Sequence, residues 1–175
     1  MTKKEIINSL TVQHKLFTNR ILGLTESEFL FTKTDKWSAG QQLDHIVRAV
    51  SPLAQAFSIP KSSPNFVFGK SNRASSSYEE LVEKYHAALK NGGKASGRFL
   101  PDSVEYLKRE THIEKLHEIV KLLNYNVDSY SEEELYEFTV PHPLLGVLTL
   151  REILYFTKYH VQHHHQLVLQ YLAKK

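Results

Sequence analysis

Two histidines near the carboxyl end of the chain, His160 and His164, have a spacing at which one helix can present two imidazoles to a single point. A helix turns about 100° per residue, so residues four apart lie one turn above each other. The apolar stripe of the segment 149–172 contains both of them; its members are Ile153, Phe156, His160, His164, Leu167, Val168 and Tyr171. Paired imidazoles on a helix are typical nitrogen ligands of a divalent metal, and a third ligand must then come from another helix.

Two other interpretations of these histidines have to be weighed. A purification tag is terminal and patternless, whereas this histidine run interrupts a helical pattern that continues towards the end of the chain. A histidine on an apolar face is also often a core residue with satisfied hydrogen bonds. Two of them on one buried stripe would need two polar partners, because unpaired polar groups are costly in the interior. The spacing therefore favours a metal.

A third candidate ligand, His45, falls on a helix that the sequence predicts to begin at Ser38. Ser38 can cap this helix, and Gln41 stands three residues later, as in a capping box. The inward face consists of Gln42, His45, Ile46, Ala49, Leu53, Ala56 and Phe57. The small Ala49 would leave room for a metal and its bound water, and Pro52 should kink or shorten the helix. Taken alone, His45 could equally be an ordinary buried helix histidine.

The remaining sequence predicts further helices, and hence an all-α bundle. Capping residues and apolar spacing predict a first helix from Thr2 to about Leu22, a helix starting at Ser77, one over 111–124 and a short one over 131–136. The helix from Ser77 ends either at Gly92 and Gly93 or near Arg98. His86, His112 and His117 lie beside or off the apolar stripes of their helices, and we predict surface or structural roles for them.

The connections have loop composition. Residues 25–36 are predicted to be a connection with a turn of helix, and residues 141–146 a rigid loop. The segment 58–77 is rich in Ser, Pro, Asn and Gly, and Phe66, Val67 and Phe68 are its expected anchors. Long loops often line functional sites, so this segment is expected near the histidines.

Composition limits the class of protein. The chain has 175 residues, 41% hydrophobic and 23% charged, as expected for one globular domain over residues 1–175. Without cysteine there can be no disulfide, thiolate ligand or cysteine nucleophile, so a metal would need nitrogen and oxygen ligands. A net charge of +3 without a basic block gives nucleic-acid binding little support. The absence of a long apolar run or secretory segment predicts no membrane association and a cytoplasmic location.

Two separated stretches carry a family resemblance: WSAGQQLDHIVRA, which starts at Trp37, and HPLLGVLTLREILYFTKYHVQHHHQL, which starts at His142. Together they resemble the DinB-like superfamily, in particular its YfiT-like branch of metal-dependent hydrolases. In that family a tryptophan-led helix carries one histidine. A His-Pro-x-x-Gly loop precedes the last long helix, which bears His-x-x-His-His. The likeness covers the whole chain in helix order, but its specific motifs are confined to these two stretches.

The resemblance implies a four-helix bundle with an up-down-down-up path, short extra helices and a long loop after the second helix. It also implies a divalent metal, often nickel or zinc, held by His45, His160 and His164. His163 occupies the family's intervening histidine and is not expected to bind, while His165 departs from the commoner residues at its place. The pair of His142 and Pro143 is expected to shape the entrance.

Three neutral imidazoles would leave a divalent ion its full charge and an open coordination position, which favours catalysis over a structural role. Several members of the superfamily are linked to thiol-dependent transfer. The first hypothesis is therefore a metal-dependent thiol transferase or hydrolase acting on a small molecule, with a low-molecular-weight thiol as a candidate substrate. The alternatives are a non-enzymatic metal or small-molecule binding protein of the stress response, and a structural bundle whose histidines lie apart.

Supporting residues are only partly predictable. Gln41, Asp44, Gln162 and Gln166 are close enough in sequence to orient the imidazoles, whereas a general acid or base is not identifiable. Tyr171 is interpreted as a core residue rather than a catalyst. Relatives are frequently dimers, and Phe29, Phe31 and Phe66 could form the contact patch of a homodimer. The alternative is that these rings cover the domain's own loop.

Overall fold

The computed structural model of the chain describes residues 1–32, 34 and 36–173 and is built mainly from helices. In chain order its elements are α1 (Lys3–Leu22), α2 (Glu26–Leu30), α3 (Ala39–Phe57), β1 (Gly69–Lys70), α4 (Tyr78–Lys90), α5 (Arg109–Asp128), α6 (Glu132–Glu137), β2 (Phe138–His142), β3 (Gly146–Thr149) and α7 (Leu150–Leu172), with single 3-10 turns at Gly97–Phe99 and Tyr106–Lys108. Lys33 and Asp35 of the predicted connection 25–36, and the terminal Lys174 and Lys175, lie outside the described residues. Among the described helices, none combines the length and apolar character needed to span a bilayer.

Capping residues fix where most helices start. The boxes predicted at Thr2, Ser38 and Ser77 are formed, and further boxes begin α2, α6 and α7. In each box the first side chain accepts a hydrogen bond from the third helical N–H, and the side chain of that third residue accepts one in return. Each cap stabilises its helix by about 1 kcal/mol. The starts of these helices are therefore predictable from the local sequence.

The long helices α1 and α7 are neighbours that run in the same direction. The guanidinium of Arg151, at the start of α7, donates to the carbonyl of Met1, just before α1. Further along both helices, the ring of Phe17 contacts that of His165, with the centroids 6.3 Å apart. Equivalent ends of the two helices therefore lie together.

The other two long helices run the opposite way. Thr11 and Thr18 of α1 bond to Asn124 and His117 of α5 respectively, so α5 is antiparallel to α1. In the same manner α3 is antiparallel to α7, because its early residues contact the later part of α7. The four long helices α1, α3, α5 and α7 therefore run up-down-down-up, as the resemblance implies.

The parallel pair α3 and α5 requires a return crossover, and the chain uses the segment between them for it. This crossover contains β1, α4 and the 3-10 turns. The helix α4 lies outside the ring of long helices and packs on α7 through aromatic rings. These are Tyr78 and Tyr85 on α4 and Tyr155, Phe156 and Tyr159 on α7. Of the two ends predicted for this helix, the one at the glycines is observed, since α4 ends at Lys90.

Of the two effects expected for Pro52, shortening of the helix does not occur, because α3 continues to Phe57, the last residue of the predicted inward face. The residues around the proline, including Val50, Leu53, Ala54 and Phe57, are buried. Tertiary packing thus compensates for the hydrogen bond that proline cannot donate.

The loop expected at 141–146 is in fact the turn of a β-hairpin. β2 and β3 pair in an antiparallel register that ends with His142 opposite Gly146. Gly146 has a φ of 75°, which suits glycine at the end of a tight turn. β1 adds a third, very short strand beside β2.

The segment 58–77 is anchored by two of its three predicted residues. Phe68 packs edge-on against Phe57 and Phe66, and Phe66 packs against Phe138. Val67 instead is 53% exposed. Of the rings considered for a dimer contact, Phe29 is completely buried, and Phe31 and Phe66 are half-buried. The homodimer remains a prediction.

A buried histidine that the sequence analysis did not single out lies on α1. His14 is 1% exposed. Its Nδ1–H donates to the carbonyl of Leu10 at 2.7 Å, whereas its Nε2 has no hydrogen-bond partner among the described residues. Burial lowers the pKa of His14 to about 4, against the opposing effect of the Leu10 carbonyl. The ring is therefore neutral and carries an unpaired buried lone pair.

Replacing His14 by leucine should leave the stability at neutral pH unchanged or slightly raise it, since it removes an unsatisfied polar atom. Because the folded pKa lies below that of the unfolded chain, the wild type is fully stable above about pH 6.5 and loses stability as the pH falls towards about 4. Urea titrations at pH 7 and pH 4 should show that this loss is smaller for His14→Leu by about 2–3 kcal/mol. His86→Leu, at an exposed position, controls for the change in net charge. Equal losses in wild type and His14→Leu would contradict the prediction.

Candidate metal centre

Three imidazoles meet between α3 and α7. The Nε2 atom of His160 lies 3.2 Å from Nε2 of His45 and 3.0 Å from Nε2 of His164. All three side chains are buried, with exposures of 5–7%. They form a group whose potential ligand atoms lie within 4.8 Å of one another. The sequence-predicted site residues are therefore brought together.

The positions of the three rings follow from helix geometry. His160 and His164 are one turn apart on α7 and point to the same side. His45 faces them from the antiparallel helix α3. A two-residue shift of either helix would turn these rings away, so the apolar stripes that set the helix register also set the site.

Two of the rings are oriented by hydrogen bonds at their other nitrogen. The Nδ1 of His45 contacts the carbonyl oxygen of Phe99 at 2.7 Å, and the Nδ1 of His164 contacts the amide oxygen of Gln42. An oxygen of this kind only accepts, so each Nδ1 carries the proton. Each Nε2 then directs its lone pair towards the shared centre, as in metal-binding histidines.

The electrostatic environment keeps these imidazoles neutral. Burial lowers the pKa of His45, and it lowers the pKa values of His160 and His164 well below the ordinary value. A neutral imidazole is the form that binds a metal. At neutral pH the three imidazoles are therefore in the charge state that binds a metal, without a net loss of protons.

The spacing of the three Nε2 atoms is explained better by a shared cation than by hydrogen bonds among the imidazoles. Without a cation, His45 and His164 both direct lone pairs at one His160 nitrogen, which carries at most one proton. Two nitrogens that each lie about 2.0–2.1 Å from one ion are separated by about 2.9–3.4 Å at octahedral or tetrahedral angles. The observed separations of 3.0 and 3.2 Å fall in this range. The three histidines could therefore hold a metal ion.

Aromatic side chains surround the group. The indole of Trp37 is stacked on His164 and tilted against His45, at centroid distances of 6.1 and 4.9 Å. Phe156 stacks on His160 at 4.8 Å, and Tyr85 of α4 meets the same imidazole edge-on at 6.2 Å. These rings reduce the access of water and lower the local dielectric, which strengthens electrostatic effects at the centre.

The neighbouring histidines have other contacts. His163 meets Tyr85 edge-on, and His165 faces Phe17 of α1. His142 accepts backbone N–H bonds from Leu144 and Leu145 and so caps the turn of the β-hairpin. None of these three belongs to the ligand group found among the described residues.

The remaining predicted surface or structural histidines have local roles. His86 is exposed and bonds to the hydroxyl of Tyr159 at 2.5 Å. His117 is exposed and bonds to Thr18, and the Nδ1 of His112 bonds to the carbonyl of Lys108.

The groups bonded directly to the Nδ1 atoms of His45 and His164 are not among the four side chains considered in the sequence. Gln41 caps α3, Gln162 accepts a bond from Tyr78, and Gln166 is exposed. Gln42, assigned only to the inward face, is the residue that contacts His164. Its position three residues before His45, on the same face of α3, was the available signal.

The expected lining of the site by the segment 58–77 is wrong. This segment is anchored near Phe57 and at the amino-terminal end of α7, where Arg73 pairs with Glu152. Instead, the 3-10 turn Gly97–Phe99, much later in the crossover, contacts His45. The aromatic anchors of 58–77 attach it to the opposite half of the bundle.

An up-down-down-up helical bundle with three buried, converging histidines defines a class of candidate metalloproteins. The family model described as the DinB superfamily matches residues 9–168, which is most of the chain. The chain belongs to the DinB superfamily. No curated protein and no solved structure matches the chain.

Proposed function

We propose that this protein is a metal-dependent enzyme, a thiol transferase or hydrolase that acts on a small molecule, and that His45, His160 and His164 hold its divalent ion. Nickel and zinc are the first candidates, because imidazole suits both and family members often contain them. The observation that carries the proposal is the convergence of the Nε2 atoms of three buried imidazoles.

The number of ligands supports a catalytic rather than a structural centre. In the described part of the chain, the group contains three histidines and no cysteine, aspartate or glutamate. Structural zinc sites are usually closed by four protein ligands, whereas catalytic sites use three and leave a position for water or substrate. A divalent ion with three neutral ligands keeps its full charge and supplies Lewis acidity that lowers the pKa of a bound water or thiol.

The surrounding residues would contribute binding and exclusion of water. Trp37, Tyr85 and Phe156 offer aromatic surfaces beside the imidazoles. Such surfaces suit a small molecule with an apolar part and displace loosely held water. Burial and the Phe99 and Gln42 contacts keep the histidine lone pairs directed at the centre.

Turnover assays on metal-loaded and metal-free protein test the proposal. The protein is loaded with zinc or nickel, and consumption of low-molecular-weight thiols is followed against a panel of small electrophiles and esters. We expect turnover that requires the metal and is lost in His160→Ala. The matched control is His165→Ala, which changes a neighbouring histidine that faces α1.

The same assay tests the alternative. Tight metal binding without metal-dependent turnover across the panel would contradict the enzymatic proposal and favour a non-enzymatic metal or small-molecule binding protein. Turnover that is unchanged in His160→Ala would contradict the proposed site.

A further inference from the structure

A carbonyl group far along the chain determines the orientation of His45. The oxygen of Phe99, 54 residues away, accepts the Nδ1–H of His45 at 2.7 Å. Phe99 is the last residue of a 3-10 helix of one turn, Gly97–Phe99, whose first residue has no side-chain cap. Isolated 3-10 turns are short because their hydrogen-bond geometry is poor. The position of this carbonyl must therefore be held by contacts outside the turn.

Those contacts come from α3 itself. Asp44, the residue before His45, has a side chain that is 10% exposed. One of its carboxylate oxygens accepts the backbone N–H of Asp102 at 2.8 Å and the Nε–H of Arg48 at 2.6 Å. Arg48 also pairs with the carboxylate of Asp102. The segment 97–102 is thus tied to α3 at two points, through Phe99 and through Asp102.

We propose that Asp44 and Arg48 are positioning residues of the metal centre, which act on His45 through the segment 97–102. Asp44 holds Asp102, and this keeps the carbonyl of Phe99 in place to orient the imidazole. Neither residue belongs to the ligand group. The inference rests on the proposed metal centre but does not depend on the reaction catalysed there.

The position of Asp44 next to His45 couples the segment 97–102 directly to the orientation of the imidazole. Asp44, His45 and Arg48 lie within one turn of α3, so the anchor and the ligand share one rigid element. Loss of the Asp44 carboxylate would release the backbone at Asp102 and allow the Phe99 carbonyl to move away from His45. The ring of His45 could then rotate or change tautomer, and the Nε2 lone pair would no longer be held towards the centre.

Coupling of this kind is reciprocal. If an anchored segment 97–102 raises metal affinity, metal binding must stabilise the anchored segment by the same factor. The amide hydrogens of Leu100 and Asp102 report on this, because both are bonded within the anchored arrangement. Zinc should therefore slow their exchange in the wild-type protein.

The affinity for zinc, measured by competition with a chromophoric chelator, tests the proposal. Asp44→Ala should lower it by about 10- to 100-fold, the usual effect of losing a residue that orients a ligand. Asp44→Asn keeps an oxygen that can accept the Asp102 N–H and should restore most of the affinity. The matched control is Glu132→Ala, because Glu132 also accepts a backbone N–H and an arginine, but far from the histidines. The Glu132→Ala protein should have a lower thermal stability than the wild type but the same zinc affinity.

Two results would overturn the proposal: a folded Asp44→Ala protein with wild-type zinc affinity, or equal losses of affinity in Asp44→Ala and Glu132→Ala. Should Asp44→Ala fail to fold, hydrogen exchange of the wild type decides, since unchanged exchange of Leu100 and Asp102 on zinc binding contradicts the coupling. A wild type that does not bind zinc through its histidines would instead contradict the metal centre itself. Absence of turnover would affect only the proposed reaction.

Discussion

Replacing His45 by alanine should lower zinc affinity on the order of 100- to 1000-fold. Structural zinc sites with four ligands bind with about 10–16 kcal/mol, so each ligand contributes about 2.5–4 kcal/mol. His45 is also the only one of the three proposed ligands that α3 supplies. Without it, α7 alone would present two imidazoles to the ion. Chelator competition gives the affinity, and the absorption spectrum of the cobalt-loaded protein reports the loss of a nitrogen ligand.

His165→Ala is the control for this experiment, because it removes a histidine from α7 that contacts Phe17 rather than the centre. Its zinc affinity should equal that of the wild type. Circular dichroism verifies that both variants retain their helices. A folded His45→Ala protein that binds zinc as tightly as the wild type would show that the ligand set is wrong.

Replacing Arg73 by alanine should lower the free energy of unfolding by about 2 kcal/mol. This lies between the losses expected for a buried and for a surface ion pair, because the Arg73 side chain is 41% exposed whereas that of Glu152 is completely buried. The carboxylate of Glu152 has no exposed surface and accepts two parallel N–H bonds of 2.7 Å from Arg73. It also accepts the backbone N–H groups of Ser76 and Thr149. Without the guanidinium, a buried negative charge would remain only partly compensated. Urea denaturation at pH 7 measures the loss.

The pH dependence gives this prediction a second test. Burial raises the pKa of Glu152, but the bonds from Arg73, Ser76 and Thr149 outweigh this and hold it at about 2. Because this folded pKa lies below that of the unfolded chain, the contribution is complete above about pH 4.5 and is lost as the pH falls towards about 2. The difference between wild type and Arg73→Ala should therefore shrink in acid.

Lys61→Ala is the matched control, since Lys61 also ties the segment 58–77 to another element, but through the partly exposed Glu134. Surface pairs of this kind contribute at most about 1 kcal/mol. Similar destabilisation by both substitutions would indicate that anchoring of the segment, rather than the buried charge, determines the effect.

Much of the bundle could be predicted from the sequence because its signals are local. Thr2, Ser38 and Ser77 each begin a helix with a box partner three residues later, and these starts are observed. The convergence of His160 and His164 also follows from the period of one helix. Placing His45 opposite them required the family resemblance, because the spacing within α3 does not reveal which helix it faces.

Features that depend on tertiary contacts could not be predicted. The hairpin around Gly146 lies in a short segment with two prolines, and its strands are stabilised by pairing with each other. The contact with His45 is made by the backbone carbonyl of Phe99, so the type of side chain at this position does not indicate it.

The distribution of the three histidines along the chain has a consequence for the unfolded state. His45 and His160 are 115 residues apart. An ion held between them would act as a reversible cross-link that closes most of the chain into a single loop. The unfolded chain would have to close a loop of this length to bring the imidazoles together, so it should bind the ion far more weakly than the folded chain, and the ion should stabilise the fold. In a protein without cysteine, ion binding would thus serve the purpose of a disulfide, one that a chelator rather than a reductant opens.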